Sequence, residues 1–271
     1  MNIIIDIITV MKRLIYFLKR YLLKHPSYVF AYFLFFWQRD FIIKTPLLSD
    51  FEITKAVRSG KSFIRFGDGE INILLSIKNH YQDFSPHLQK MLNEIVSNYN
   101  SKASYILGVP RFINTSNHDL KKIGKLQVWL PLKIVFWLHF NKTVSYMDAH
   151  NFYYDNYFER VIVSEILDKD IIIVTRRETI DKIKQNKKLP WKNIAYVETP
   201  ENNALSEYEN IKNLINKVLS NYNKSNVVLL FAMGPVGKYI VYEYANSGVQ
   251  SIDLGKAVEV MFTDVSISYL I

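Results

Sequence analysis

From residue 49 onward the chain alternates between two hydrophobic periods. Short, nearly continuous apolar runs occur at 62–66, 104–109, 143–146, 170–175, 194–197, 227–232 and 250–252. Runs of this length and texture read as strands, and the run at 170–175 as one buried in a parallel sheet. Between them apolar residues recur every three or four positions, which predicts helices over 49–59, from the 67–70 turn onward, and over 85–99, 117–138, 177–185, 205–222 and 235–247. An aromatic helix is expected around 152–158. The punctuation agrees. Gly60 stops the first helix, Ser85-Pro86 supplies an N-cap and a first-turn proline, Pro110 ends the second strand, and Pro131 should kink or split the helix over 117–138. Strand–helix alternation implies an α/β fold with a mostly parallel sheet and helices on both faces. Ligands in such sheets bind at the carboxyl ends of the strands, so the residues just after each strand are where chemistry is expected.

Residues 1–48 have a different texture and read as a separate N-terminal helical segment, leaving 49–271 as the α/β domain. Ile7, Ile8, Met11, Leu14, Ile15, Leu18 and Leu22 fall on one helical face, and the pairs Lys12-Arg13 and Lys19-Arg20 share the other. A second apolar run, 28–37, is rich in Phe and Tyr. Neither run reaches the roughly 18–20 uninterrupted apolar residues of a membrane span. The broken apolar run and the lack of a small-residue cleavage site also argue against a signal peptide. Two readings of this segment stand: an amphipathic helix lying on an anionic membrane face, or a helix packed on the protein's own core.

Charge sharpens this. The chain of 271 residues carries 34 Lys+Arg against 25 Asp+Glu, a formal net charge of +9. Residues 1–50 hold Lys12, Arg13, Lys19, Arg20, Lys24, Arg39 and Lys44 against Asp6, Asp40 and Asp50, or 7 − 3 = +4 of that excess. The basic residues form no known nucleic-acid reader motif, so nucleic acid is not expected as a partner. There is no cysteine, which excludes a disulfide scaffold, a zinc ribbon and a Cys nucleophile. The six His show no metal-ligand spacing, and no Gly-x-Ser-x-Gly elbow occurs.

The sharpest chemical feature follows the strand at 62–66. In Arg65-Phe66-Gly67-Asp68-Gly69-Glu70 two carboxylates, two apart on a tight turn, can point at one hard cation such as Mn²⁺ or Mg²⁺, shared with substrate phosphates. Gly67 and Gly69 would let backbone and ligand approach closely. Asp168-Lys169-Asp170 has the same spacing but precedes its strand, and reads as solvated. Met233-Gly234-Pro235-Val236-Gly237-Lys238 follows a strand and opens a helix whose backbone N–H groups, with Lys238, make a phosphate cradle. It is not a Walker A loop, which needs Gly at 232 and Ser or Thr at 239, where this chain has Ala232 and Tyr239. Arg176 and Arg177 follow the buried strand at 170–175 and suit a diphosphate or a leaving group's charge. Asn203, in Thr199-Pro200-Glu201-Asn202-Asn203-Ala204, is placed to read a base or ribose. Asp148 and His150 follow the short run at 143–146, while Asp253 and Glu259 follow the last strand.

Several of these segments, in order, resemble the GT-D type glycosyltransferases. Ser62-Phe63-Ile64-Arg65-Phe66-Gly67-Asp68-Gly69-Glu70 looks like the family's opening signature, and Ile106-Leu107-Gly108-Val109-Pro110 like its second strand. Thr143-Val144-Ser145-Tyr146-Met147-Asp148 resembles its Ser-Arg-x-Tyr region without the Arg. Ile172-Ile173-Val174-Thr175-Arg176-Arg177 and Val197-Glu198-Thr199-Pro200-Glu201-Asn202-Asn203-Ala204 resemble two further strand ends. Leu229 to Lys238 resembles the Leu-Gly-Pro helix start, and Ile252-Asp253-Leu254-Gly255 the terminal Ile-Asp-x-Gly. The likeness covers about residues 50–262. Some members carry a His and further acids after the terminal Gly, where this chain has Lys256-Ala257-Val258-Glu259.

The resemblance implies a Rossmann-like domain and a metal-dependent, hexosyltransferase-type enzyme using a nucleotide-sugar, expected to be a UDP-sugar. Asp68 and Glu70 would serve the metal–diphosphate. Gly234, Pro235 and Lys238 would add positive potential at the phosphates, Arg65 would brace the acidic turn or touch the donor, and Asn203 would contact the nucleoside. Asp148, Asp253 and Glu259 compete as the base for the acceptor hydroxyl. The acceptor would be a bacterial surface glycan, a glycoprotein or a lipid-linked sugar, met in the cytoplasm or at the inner face of the plasma membrane through residues 1–40. The rival readings are a non-catalytic membrane-associated partner that keeps the fold, and a metal-dependent phosphoesterase.

Overall fold

A computed structural model describes residues 26–79, 81–153, 157–185 and 189–258. Its sheet has seven strands: β1 (Ser62–Arg65), β2 (Tyr105–Val109), β3 (Met147–Asp148), β4 (Asp170–Arg176), β5 (Ile194–Thr199), β6 (Val227–Ala232) and β7 (Gln250–Asp253). Their order is β3-β2-β1-β7-β6-β4-β5, and every neighbouring pair is parallel. The helices are α1 (Pro26–Phe36), α2 (Asp50–Arg58), α3 (Asp68–Leu74), α4 (Pro86–Ser97), α5 (Asn117–Lys122), α6 (Leu126–His139), α7 (Arg177–Gln185), α8 (Tyr208–Leu219) and α9 (Pro235–Asn246).

The strands read as continuous apolar runs because both faces are covered. Ile64, Leu107, Ile172 and Leu229 point into one core, shared with α3, α4, α6, α8 and α9. Phe63, Ile106, Ile171 and Leu230 point into the other, shared with α2, α7 and the irregular helical stretch 158–165. Alternate residues of each strand therefore feed opposite layers. The sheet is all-parallel, so every carboxyl end lies on one edge, and the loops after β1, β7 and β6 become neighbours there.

Four local expectations change. The third strand is Met147–Asp148, not 143–146; Thr143 instead turns on Asn141, whose Oδ1 accepts its N–H at 3.0 Å. The helix expected over 117–138 breaks between α5 and α6, at Gly124, whose φ of +68° ends α5. Pro131 lies inside α6. The carbonyl it leaves without a donor belongs to Gln127, an exposed residue that water can reach. Around 152–158 the described residues form a short 3₁₀ turn, Asn151–Tyr153, and a π-helical turn, Phe158–Ile162.

The fourth concerns the N-terminal segment. The amphipathic pattern at 7–22 lies outside the described residues. Residues 26–47 are not set apart from the α/β domain: Val29, Ala31, Phe35 and Ile43 belong to its core, and Leu47 bridges to Tyr146 ahead of β3. The join is made by polar groups. Lys133, fully buried on α6, donates to the carbonyls of Phe41 and Thr115 (2.8 Å for the latter) and to Asn117 Oδ1 at 2.9 Å. Asn117 Nδ2 in turn donates to the carbonyls of Phe35 and Gln38 at 2.7 and 3.0 Å. Burial pulls the Lys133 pKa down to about 8, so the amine is mostly charged at neutral pH and loses its charge as the pH rises through that value. Lys133→Met keeps the apolar stem and removes the donor to one buried and two part-buried acceptors. The expected loss is about 3 kcal/mol, read as a lower urea midpoint. An unchanged midpoint would mean that water takes the amine's place.

Candidate active site

The carboxyl edge holds a buried set of four charges that balance. Arg65 at the end of β1, Glu70 on α3, Lys238 on α9 and Asp253 at the end of β7 are each 1–7% exposed. Asp253 is the hub. Its Oδ1 accepts from Lys238 Nζ at 3.0 Å and from the Gly255 N–H at 3.1 Å, and its Oδ2 accepts the Arg65 N–H at 3.1 Å. Lys238 Nζ also lies 3.6 Å from Glu70 Oε1. Burial acts to lower the Lys238 pKa, but Asp253 and Glu70 outweigh it and hold the amine above its ordinary value, so it is charged at neutral pH.

These contacts give several expected site residues a different job. Arg65 reaches no ligand space. Its guanidinium donates to the carbonyls of Asp253 (2.8 Å), Ala149 (2.9 Å) and Leu254, and lies over the rings of Phe152 and Tyr153 at 4.8 and 5.3 Å. It ties the ends of β1, β7 and β3 together rather than bracing the acidic turn. Asp253, with both oxygens engaged, is an anchor here rather than an available base. Lys238 supplies its charge from below the surface, by locking the starts of α3 and α9 against each other.

The acidic turn divides its two carboxylates. Glu70 is turned inward: its Oε2 accepts the Gly67 N–H at 2.8 Å, capping α3, while Oε1 faces Lys238. Asp68 is exposed, and among the described residues its Oδ1 accepts only the local Gly69 N–H at 3.0 Å. Gly69 is needed for close packing, since a Cβ there would lie 2.9 Å from Asn79 Nδ2. Gly234 has a φ of +73° with open space around it, and passes the chain into Pro235 at the first turn of α9.

Beside Asp68 the end of β3 brings in a second group. Asp148 is buried, and its Oδ1 accepts the N–H groups of His150 (3.0 Å) and Arg111 (3.3 Å). Arg111 Nε lies 3.8 Å from Asp148 Oδ2. His150 is packed among Phe112, Trp129 and Tyr153, with ring centroids 6.0, 5.7 and 6.2 Å away. Its Nδ1 is buried without a hydrogen-bond partner, 4.0 Å from Asp148 Oδ1. Burial pulls its pKa below the usual imidazole value, Asp148 and Asp68 push the other way, and Arg65 and Arg111 add to the lowering. The ring is therefore neutral near pH 7, and Asp68, Asp148 and Arg111 all act on it.

Arg176 and Asn203 lie elsewhere on the edge. Arg176 ends β4, three strands from β1, roughly 14 Å away at ordinary strand spacing. Its Nε donates to Thr179 Oγ1 at 3.1 Å, and Glu201 and Glu178 flank it at 3.6 and 3.8 Å. Asn203, in the left-handed region at φ +52°, ties down the loop after α3: it accepts the Asp83 N–H at 2.9 Å and donates its own N–H to the Tyr81 carbonyl. That loop spans from Asn79 against Gly69 to Asn203 beyond β5, forming one wall of the edge. Arg111 and Lys256, both exposed at strand ends, are cations that the motif reading passed over; position just after a strand was the available signal. Glu259 lies outside the described residues.

Among the described residues no three His, Asp or Glu side chains are grouped to hold a metal. An ion such as Mn²⁺ or Mg²⁺ fits only as a shared ligand, with Asp68 from the protein and the remaining positions filled by phosphate oxygens and water, which is how Mg²⁺ is commonly held.

An all-parallel sheet with its acidic turn after β1 and a glycine–proline helix start after β6 defines a Rossmann-like α/β protein, a fold whose ligands bind at the carboxyl edge. Residues 63–260 match the glycosyltransferase GT-D fold family, and the chain belongs to that family. A probable glycosyl transferase Gly of Streptococcus gordonii is 22% identical over 209 residues, which is 73% of this chain but 30% of that protein. The chain thus spans under a third of that relative's length. The same fold occurs in the solved domain of unknown function 1792, with a TM-score of 0.67 at 21% identity, covering 86% of this chain and 83% of that one. It also occurs in a new glycosyltransferase of that domain type from Streptococcus sanguinis, with a TM-score of 0.64 at 21% identity, covering 80% and 83%.

Proposed function

We propose that the chain transfers a sugar from a nucleotide-sugar, in the first instance a UDP-sugar, to a hydroxyl of a bacterial surface glycan, glycoprotein or lipid-linked acceptor. The observation that carries this reading is an exposed Asp68 on the acidic turn, acting electrostatically on a neutral His150 beside Asp148, above a charge-balanced buried support. A bound Mn²⁺ or Mg²⁺ would neutralise charge on the departing nucleoside diphosphate. Asp68 would orient the diphosphate, Glu70 would hold the turn through Gly67, and the start of α9 at Gly234-Pro235 would present the positive end of its dipole. Arg111, just after β2, and Lys256, just after β7, are exposed cations at neighbouring strand ends. On the β3 side the acceptor hydroxyl would meet the part-exposed ring of His150, neutral and able to take a proton, with its buried Nδ1 turned to Asp148.

The test is a thermal shift. UDP with Mn²⁺ together should raise the melting temperature, since a ligand at about a hundred times its Kd adds about 2.7 kcal/mol. Either alone should do much less. No shift with any nucleoside diphosphate plus metal would sink the reading. Release of free sugar without transfer, whatever acceptor is supplied, would favour the phosphoesterase alternative.

A further inference from the structure

Helix α1 is apolar on the side that faces away from the protein as well as on the side that faces in. Val29, Ala31 and Phe35 are buried, yet Phe30 is 72% exposed, Trp37 78%, Leu34 48% and Phe33 43%. Beside it, at the end of α6, Trp137 and Leu138 are 39% and 37% exposed, and the Trp137 ring meets Phe35 at 5.2 Å. A helix that faced only water would place polar residues on its outer side. A contiguous exposed apolar surface of this kind marks a contact site.

We infer that this face lies on an anionic lipid bilayer. Charge selects that occupant. Arg39, Lys44 and Lys142 are exposed around the patch, with Asp40 the acid among residues 26–44, and Lys142 Nζ lies 5.3 Å above the Trp137 ring. A basic rim attracts anionic headgroups and repels a second copy of itself. The apolar centre is Phe, Trp and Leu, which settle at the headgroup–acyl boundary. With 11 residues α1 is about 16 Å long, too short to cross, and among the described residues no helix is long and apolar enough to do so. Asn117, itself held by Lys133, ties the end of the helix to the domain through the Phe35 and Gln38 carbonyls, so the patch would dock the domain in one orientation. Along α6, Trp129, which packs on His150, is eight residues from Trp137, a rise of about 12 Å. The bilayer surface would therefore lie close to the acceptor side of the site. This contact stands independently of whether the site transfers sugar.

Flotation of the full chain with phosphatidylcholine vesicles, with and without phosphatidylglycerol, tests it. The chain should float with the anionic vesicles, less so at high salt, and hardly with the neutral ones. Phe30→Ser, Phe33→Ser and Trp37→Ser combined should reduce the bound fraction about tenfold or more while the far-UV spectrum is kept. Arg39→Glu with Lys44→Glu, which touches no buried group, should also lower anionic-vesicle binding and so carries the test if the triple variant misfolds. Wild-type chain that stays unbound overturns the proposal. So does a triple variant that floats equally well, or a wild-type dimer that the triple substitution splits while vesicle binding stays absent.

Discussion

Asp253→Asn should lower the melting temperature by about 10 °C, the largest stability effect expected of any single substitution at the site. The carboxylate is 1% exposed and accepts from Lys238, Gly255 and the Arg65 backbone. With it the buried charges are two positive and two negative; without it Glu70 alone faces Lys238, and Arg65 keeps no carboxylate neighbour among the described residues. Removing one member of a buried ionic set typically costs about 3–5 kcal/mol, because the partners remain buried and unpaired. The asparagine would also turn an N–H₂ toward groups that are all donors. In a chain of this size each kcal/mol is worth roughly 2–4 °C. Asp253→Asn combined with Lys238→Met should recover part of the loss, since both sides of the closest pair are then gone. If the single variant melts with the wild type, the four charges do not form a mutually dependent set.

This hub also shows where the sequence stopped being readable. The strands were legible because burial on both faces leaves near-continuous apolar runs, as at 171–174 within Asp170–Arg176. The acidic turn and the glycine–proline helix start were legible because they sit directly after such runs. What each charged residue touches was not, because the partners are far apart in sequence: Arg65 and Asp253 are 188 residues apart, and meet because β7 inserts beside β1. The expectation that Arg65 and Lys238 would serve the donor rested on position and on the family resemblance, and neither distinguishes a cation facing a ligand from one facing a buried carboxylate. Asn203 is similar. Its place after a strand suggested a nucleoside contact, whereas its left-handed backbone and side chain serve the loop at 81–83. The strand at 147–148 was missed by a few residues because two residues carry no period. The aromatic wall around His150 draws Phe112, Trp129 and Tyr153 from three separate segments, and no local pattern links them.

The division of labour within the acidic turn gives the second large effect. Asp68→Asn should reduce kcat/KM for sugar transfer by about 10²–10³-fold, the usual scale for losing a charge that meets the reacting group's charge. Its melting temperature should stay near that of the wild type, because Asp68 is exposed and its only described hydrogen bond is to its neighbour Gly69. The UDP-plus-Mn²⁺ thermal shift should vanish with it. Glu70→Gln should behave in the opposite way. The amide oxygen can still accept the Gly67 N–H, but Lys238 loses one of its two carboxylate neighbours. That variant should melt lower, yet keep a metal-dependent shift and part of its turnover once folded. The pair of measurements separates the two roles: an exposed ligand changes activity without stability, and a buried support changes both. If Asp68→Asn keeps wild-type turnover while Glu70→Gln abolishes the metal response, then Glu70 must leave Gly67 and turn outward in the working enzyme, and the inward arrangement seen here is its resting state.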